Sequence, residues 1–321
     1  MNKYEYTYAV ARIRANEAKL LTPQQLGSVI AAPTFDEALR RVSDFGYDIG
    51  EDGYAAALQK REKETDELVF GILPDKSMLD SMIIKNDFAN LKVCLKALVC
   101  DKPTDGLFTF PSVYDPYEIK KHVFDRKNDK LPECMRHADR SGYRILTQTR
   151  FAQLADSVID RAAMEQTLLF AEKADNEVMR EWAQAYVALS NIKVLYRALK
   201  AQKAESFMLR AVADCRSFDK KDIVKAAVKG EDAYFEFLSR TPFAAVAESL
   251  KRSTAEFEKR SDEYILALFG QYKNDPFGIA PIAAFRYAAH IEILDLRIIL
   301  SAKHNGMSEE DIRGRVRGSD V

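Results

Sequence analysis

Glycine and proline are scarce in this chain, at 13 and 10 of 321 residues. Because these two residues interrupt helices, their scarcity favours helix over sheet, as does the abundance of Glu, Lys, Ala and Leu. The formal net charge is only −1, so no global basic field exists for nucleic acid or anionic lipid. We therefore expect a mostly helical protein without a nucleic-acid partner.

Cysteine and long apolar runs are also rare. The four cysteines, Cys94, Cys100, Cys134 and Cys215, are too few for a disulfide scaffold at this length, so we expect reduced, intracellular thiols. The longest uncharged segment, residues 20–35, contains two prolines and falls short of the ~20 apolar residues that a spanning helix needs. The first residues carry too many charges for a signal peptide. We expect no membrane-spanning segment, so any link to a membrane must run through another protein.

Sequence motifs of common catalytic sites are absent or incomplete. The sequence contains no GxxxxGK[ST], GxGxxG or HExxH. Cys134 and His137 could form one edge of a metal site, but no second pair at zinc spacing accompanies them. Ser190 and Lys193 match the SxxK motif of serine-lysine acyl enzymes without a KTG partner. We predict no catalytic, cofactor or metal site, and an all-α hydrolase using Ser190 and Lys193 remains an alternative.

A repeated apolar motif is the main feature that the chain does contain. It reads NLKVCLKAL at residues 90–98, NIKVLYRAL at 191–199 and DLRIILSAK at 295–303, with a fainter copy, YAVARIRA, at 8–15. The copies stand about 82, 101 and 104 residues apart. In the three longer copies the apolar residues recur at steps of three and four, which indicates a helix buried along one face. The recurrence predicts tandem units built on one plan.

The spacing of the copies divides the chain into three helical repeats of about 100 residues. We place these repeats at residues 1–86, 87–187 and 188–321, the last with a truncated terminal unit, and expect them to form one integral body. Three full units and a truncated one suit a ring-like or funnel-like arrangement better than an open solenoid. The predicted fold is all-α with pseudo-threefold symmetry.

Capping residues predict where several helices begin. We expect N-caps at Thr22, Thr34, Asp219 and Ser308. The chain is predicted to open with a helix over residues 4–21, and residues 131–139 are predicted to form a short helix. Asp75 or Ser77 is expected to cap a helix that ends near residue 100. We predict further long helices over residues 53–73, 149–174, 175–199, 242–268 and 276–303.

Basic residues accompany the apolar stripe in each copy of the motif. The simpler interpretation is a solvated flank, in which aliphatic stems pass along the core and the charges reach water. The alternative is a cationic face that is presented several times around a pseudo-symmetric body and docks onto a symmetric partner. On that alternative, the candidate partner-interface residues are Arg12, Lys92, Lys193, Arg197 and Arg297.

Four segments of the chain resemble the C subunit of prokaryotic V-type (A-type) ATP synthases, the counterpart of the d subunit of the vacuolar proton pump. They read YTYAVARIRANEAKLL, FDEALRRVSDFGYD, NDFANLKVCLKAL and PFGIAPIAAFRYAAHIEILDLRIILSAKHNGMSEEDIRGRV. The similarity runs from Tyr4 to Arg317, and the last segment is the most specific. The last segment departs from the family pattern at two positions. Asp295 replaces an expected Asn, and Ser301 interrupts an Arg/Lys-Ala pair.

The resemblance implies an all-α, funnel-shaped protein with threefold internal pseudo-symmetry and no catalysis. Such a protein is peripheral, on the cytoplasmic face of the membrane rotor ring. It receives the central stalk and transmits torque in ATP-linked proton or sodium transport. The implied partners are the proteolipid subunits of the ring and the central-stalk subunits, with this chain a monomer within the hetero-complex. A helical-repeat scaffold unrelated to rotary ATPases is the rival interpretation.

Overall fold

The structure is a computed structural model that describes residues 6–149, 151–272 and 274–317. Within these residues every regular element is helical, and β-pairing is limited to one isolated bridge between Cys215 and Phe218. The predicted all-α class is therefore confirmed.

Sixteen α-helices lie in the described part of the chain. In chain order they are α1 (Thr7–Glu17), α2 (Pro23–Ile30), α3 (Phe35–Asp44), α4 (Gly53–Ile72), α5 (Asp80–Cys100), α6 (Pro116–Phe124), α7 (Glu133–Gln148), α8 (Ala152–Lys173), α9 (Glu177–Lys200), α10 (Glu205–Ala211), α11 (Lys220–Lys229), α12 (Glu231–Leu238), α13 (Ala244–Glu248), α14 (Thr254–Gly270), α15 (Ala280–His304) and α16 (Glu309–Arg313). Short 3₁₀ helices occupy Lys76–Leu79, Asn128–Lys130 and Ser249–Lys251.

The helices group into two compact units. The terminal unit combines Met1–Lys76 with Glu248–Val321, and the central unit is Ser77–Ala247. The division into three repeats, and the funnel-like arrangement expected from it, remain predictions.

Helix α15 is the core helix of the terminal unit. It packs against α1, α2, α3, α4, α14 and α16. Ile293, Leu296 and Leu300, spaced three and four residues apart, are buried among side chains that include Val42 and Leu58. The repeated motif at the C-terminal end is therefore the buried face of a helix, as its periodicity predicts.

The central unit is organised in the same way around α5, α8 and α9. Helix α5 packs against α6, α7 and α8, and α8 packs against α9. Along α5 the apolar residues Ile84, Phe88, Leu91 and Leu95, again at steps of three and four, are all fully buried. Trp182 of α9 is buried too, so the core extends along this helix.

The predicted N-caps are confirmed. Each accepts a hydrogen bond from a backbone N–H of the first helical turn, at 3.2, 3.1, 2.8 and 3.1 Å for Thr22, Thr34, Asp219 and Ser308. These side chains satisfy N–H groups that have no partner inside the helix, which is why the helices begin there.

The long helix predicted over residues 242–268 is wrong. The chain instead forms α13, a 3₁₀ helix and then α14. Ser253 interrupts the helix because its backbone is extended, with φ −166° and ψ 160°, and its hydroxyl accepts a hydrogen bond from Glu256 N at 3.0 Å. Ser253 therefore caps a new helix rather than continuing an old one.

The short helix predicted over residues 131–139 is also wrong, because α7 continues to Gln148. Gly142 lies inside this helix at a close helix contact. A Cβ there would stand 2.9 Å from Ile159 Cδ1 and 3.0 Å from Leu95 Cδ1. The glycine thus allows α7 to approach its neighbours closely and does not end the helix.

Two other helices also differ from the predictions, α1 at its end and α5 at its start. Residues 4 and 5 of the first predicted helix lie outside the described residues, and α1 ends at Glu17. Helix α5 begins at Asp80, after a 3₁₀ helix, and its N-cap residue Leu79 makes no side-chain capping bond. Neither Asp75 nor Ser77 is therefore the N-cap of α5.

Candidate interaction sites

Three of the predicted interface cations lie in the central unit, with Lys92 on α5 and Lys193 and Arg197 on α9. Lys92 Nζ lies 2.6 Å from an Asp160 carboxylate oxygen on α8. Lys96, one turn further along α5, pairs with a second aspartate of α8 at 2.8 Å. The cations of α5 therefore link two helices of the same chain, which agrees with the solvated-flank interpretation for this copy.

The other two predicted cations lie in the terminal unit and are exposed: Arg12 on α1 and Arg297 on α15. Arg297 lines a groove of about 420 Å³ together with Arg315, Arg317 and residues of α14. We call this feature the arginine groove. Among the described residues of its lining, Glu258 is the one carboxylate. Among the described residues, neither Arg297 nor Arg315 has a carboxylate within salt-bridge distance, so two cationic side chains of the groove face solvent.

The first residue of two motif copies is a buried asparagine that holds a distant loop. Asn90 Nδ2 donates to Thr109 O at 3.0 Å, and Asn90 Oδ1 accepts from Thr109 N at 2.7 Å. In the next copy, Asn191 makes the same pair of bonds to Ala213 O at 2.8 Å and Ala213 N at 3.0 Å. Both side chains are fully buried. A side-chain amide suits this position because it offers one donor and one acceptor to a backbone that presents both.

In the third copy, Asp295 takes this position and holds Arg317. Both carboxylate oxygens lie 3.2 Å from Arg317 N, and one accepts from Arg317 Nη1 at 3.3 Å. Every partner is a donor, so a carboxylate, which accepts only, fits better than an amide. This explains the departure from Asn in the sequence. The three residues, Asn90, Asn191 and Asp295, which we call the clamp residues, lie 19, 22 and 22 positions before their partners.

Asp87, one helical turn before Asn90, is a further buried carboxylate on the same side of α5. It accepts hydrogen bonds from Val113 N at 3.0 Å and Tyr114 N at 2.8 Å. Burial raises the pKa of Asp87 to about 6, and the two backbone hydrogen bonds only partly oppose this effect.

This raised pKa predicts a dependence of stability on pH. The pKa of Asp87 is about 6 in the folded chain and about 3.9 when unfolded, so the folded state holds a proton that the unfolded state releases between these values. The contribution of Asp87 to stability therefore falls as the pH rises from about 4 to about 6, by at most about 1.4 kcal/mol per pH unit. We expect Asp87→Asn to lack this pH-dependent contribution to stability. Urea unfolding of both proteins at pH 4.5 and 7 measures it, and equal pH dependence would contradict the prediction.

A cluster of charged groups joins α4 to α15 in the terminal unit. Arg286 Nε donates to an Asp66 carboxylate oxygen at 2.8 Å, and His290 Nδ1 lies 2.8 Å from Glu62. Nearby, the buried Glu292 carboxylate accepts hydrogen bonds from Leu21 N and the Tyr47 hydroxyl, and burial raises the pKa of Glu292. Because these groups have partners within the chain, we assign them to packing between helices and not to an interaction site.

The sequence suggests Cys134 as part of a metal site and Ser190 as a catalytic residue. Cys134 Sγ lies 3.8 Å from the Tyr114 hydroxyl, and burial raises the pKa of this thiol. Ser190 lies one helical turn after Tyr186 in α9. Across residues 6–149, 151–272 and 274–317, His, Cys, Asp and Glu side chains form no group of three that could hold a metal ion. In the same part of the chain, no helix is both long enough and apolar enough to span a bilayer.

The fold and these contacts define an all-α protein in which buried polar side chains of long helices hold distant segments of the chain. The sequence pattern of the ATP synthase (C/AC39) subunit family matches residues 9–315, and the chain belongs to this family of rotary ATPase subunits. The resemblance stated from the sequence is confirmed.

Two relatives illustrate the similarity. The chain is 22% identical to the C subunit of the V-type sodium ATPase of Enterococcus hirae, over 98% of both chains. It is 24% identical to the C subunit of the A-type ATP synthase of Methanocaldococcus jannaschii, over 96% of this chain and 85% of that one.

Proposed function

We propose that this chain is a non-catalytic adaptor in the rotor of a V-type rotary ATPase. It joins the central stalk to the membrane rotor ring and passes torque between them during ATP-linked transport of protons or sodium ions. Membership of the family over residues 9–315 carries this proposal. In the proposed role, the chain is a peripheral protein on the cytoplasmic face of the membrane, and it binds proteolipid subunits of the ring and subunits of the stalk.

The internal packing of each unit supports a mechanical role. Torque transfer needs a body that resists shear, and closely packed interiors transmit strain. Helices α5, α8 and α9 of the central unit have 21, 22 and 24 residues, and α15 of the terminal unit has 25. The clamp residues fix distant segments onto three of these helices. Their recurrence at one position of the motif also supports the proposed division into three repeats.

The arginine groove is our candidate for a contact with a stalk or ring subunit. Arg297 and Arg315 are exposed and can form paired hydrogen bonds with carboxylates. A polar contact of this kind tolerates a partner whose symmetry differs from that of the adaptor, because polar rims adapt more easily than a tightly fitted apolar contact. We propose that the groove receives acidic side chains of a partner subunit.

Charge reversal distinguishes the arginine groove from a cationic face repeated around the whole chain. We expect Arg297→Glu with Arg315→Glu to weaken binding to host membranes that lack this chain by about tenfold or more, with the loss greatest at low salt. Sedimentation of the labelled full chain with these membranes measures the affinity.

Matched single variants complete this comparison. Lys92→Glu should keep the binding affinity and lower the stability by about 0.2–1 kcal/mol, because Lys92 pairs with Asp160 in the same chain. If Lys92→Glu and Arg12→Glu weaken binding as much as the double variant, the repeated cationic face is the better account.

Removal of the chain tests the proposed function itself, because it should separate ATP hydrolysis from ion transport. In membranes of a host strain lacking this chain, we expect ATP hydrolysis by the catalytic sector to remain while ATP-driven ion uptake into vesicles is lost. Adding the purified chain should restore uptake. Ion uptake that is unaffected by removal of the chain would contradict the proposal.

A further inference from the structure

Three polar residues of one face of α5 hold the loop over residues 101–115 in a fixed conformation. Asn86, Asp87 and Asn90 make five hydrogen bonds of 2.7–3.0 Å to backbone atoms between residues 109 and 114. Asp87 and Asn90 are fully buried. A loop held this way presents its side chains in a fixed arrangement, which lowers the entropy that binding costs.

This loop and the start of α6 carry large apolar side chains in solvent. Leu107, Phe110 and Tyr117 are 57%, 58% and 64% exposed. The Tyr117 ring meets the half-buried Phe108 ring edge-on at 5.3 Å between centroids, so the first turn of α6 packs against the loop segment that carries Leu107 and Phe110. We call Leu107, Phe110 and Tyr117 the apolar loop patch. Concentrated apolar exposure of this kind marks an interaction site, whereas single exposed apolar residues are common.

The segment that Asn191 holds shows that attachment to a clamp residue does not by itself expose apolar side chains. Around Ala213, the partner of Asn191, the apolar side chains point inward. Val212 is 1% exposed, Ala213 1% and Phe218 9%. The apolar loop patch is therefore a property of residues 107–117 and not of the way in which these loops are attached.

The charge around the patch selects the kind of partner. Residues 101–121 carry four carboxylates, Asp101, Asp105, Asp115 and Glu118, against three cations, Lys102, Lys120 and Lys121. This net negative charge opposes contact with anionic lipid headgroups and favours a protein surface with basic side chains. We propose that the apolar loop patch docks into an apolar socket, bordered by basic side chains, on a partner subunit of the same rotary complex. This inference rests on the proposed function and names a contact that the proposed function requires.

Substitution of the patch tests this contact on the full chain. The triple variant Leu107→Ser, Phe110→Ser, Tyr117→Ser should bind at least about tenfold more weakly than the parent to host membranes lacking this chain, because buried aromatic and aliphatic anchors dominate such contacts. The double variant Leu107→Ser, Phe110→Ser, which leaves Tyr117 against Phe108, should lose most of this affinity with an unchanged thermal midpoint.

The matched control replaces two other exposed apolar residues of the central unit. Leu169 and Val228 are 51% and 50% exposed, and Leu169→Ser with Val228→Ser should bind as the parent does. Parental affinity in the triple variant would overturn the inference. So would equal binding of the parent to protein-free vesicles of host lipids, which would show a lipid contact, or a parent dimer that the triple variant loses, which would show a second copy. If the parent chain itself fails to bind the membranes, the proposed function fails.

Discussion

Replacing Asn191 by alanine is expected to lower the free energy of unfolding by about 2–5 kcal/mol, because each unsatisfied buried polar group costs about 1–3 kcal/mol. The substitution removes both hydrogen bonds to Ala213, which is itself 1% exposed. The backbone N–H and C=O of Ala213 then lose the side chain of Asn191 as their partner, and water cannot easily replace it. Urea and thermal unfolding followed by circular dichroism measure the loss.

Two matched variants show whether the two-way hydrogen bonding of Asn191 is the cause. Asn191→Asp keeps the acceptor for Ala213 N but turns a second acceptor toward Ala213 O, so it should destabilise at neutral pH and less at acidic pH, where the carboxyl is protonated and can donate. Asn305→Ala removes an exposed asparagine whose amide donates to Ser301 O at 2.8 Å and should cost at most about 0.5 kcal/mol. A small loss for Asn191→Ala would contradict the role assigned to the clamp residues.

Replacing Asp295 by asparagine is the second change expected to have a large effect. The amide would turn a donor toward the N–H and guanidinium of Arg317 and would leave these two buried donors without an acceptor, at a cost of about 2–4 kcal/mol. Arg317 would retain Asp262, which lies 2.9 Å from its Nε. We expect residues 309–317 to exchange amide hydrogens faster than in the parent, which hydrogen-exchange mass spectrometry of this segment measures.

The control for Asp295→Asn lies in the same segment. Glu310→Gln removes an exposed carboxylate from the first turn of α16 and should leave the exchange of residues 309–317 nearly unchanged. If Asp295→Asn behaves like this control, Asp295 does not hold the C-terminal segment.

Local signals in the sequence were enough to predict much of the helical architecture. Thr22, Thr34, Asp219 and Ser308 cap helices as predicted, because N-capping depends on a few neighbouring residues. Predictions failed where tertiary contacts or a missed cap decided the outcome. Gly142 stays inside α7 because α7 packs closely on its neighbours, and Ser253 ends one helical segment by capping the next.

The clamp residues and the arginine groove were not predictable from periodicity. Each clamp residue finds its partner about twenty positions away in a segment without a repeating pattern, so only its recurrence as Asn90, Asn191 and Asp295 signals it. The ion pair of Lys92 with Asp160 joins residues 68 positions apart, which no local pattern encodes. The groove forms because the segment after α16 places Arg315 near Arg297, a predicted interface residue.

Affinity purification tests the central claim, a rotor adaptor between stalk and ring, most directly. The tagged chain would be purified from detergent-solubilised membranes of its own host at mild salt, and the co-purifying proteins identified by mass spectrometry. We predict recovery of a small hydrophobic ring protein together with coiled-coil stalk subunits. Recovery of soluble partners alone, without a ring protein, would contradict the claim and favour a helical-repeat scaffold unrelated to rotary transport.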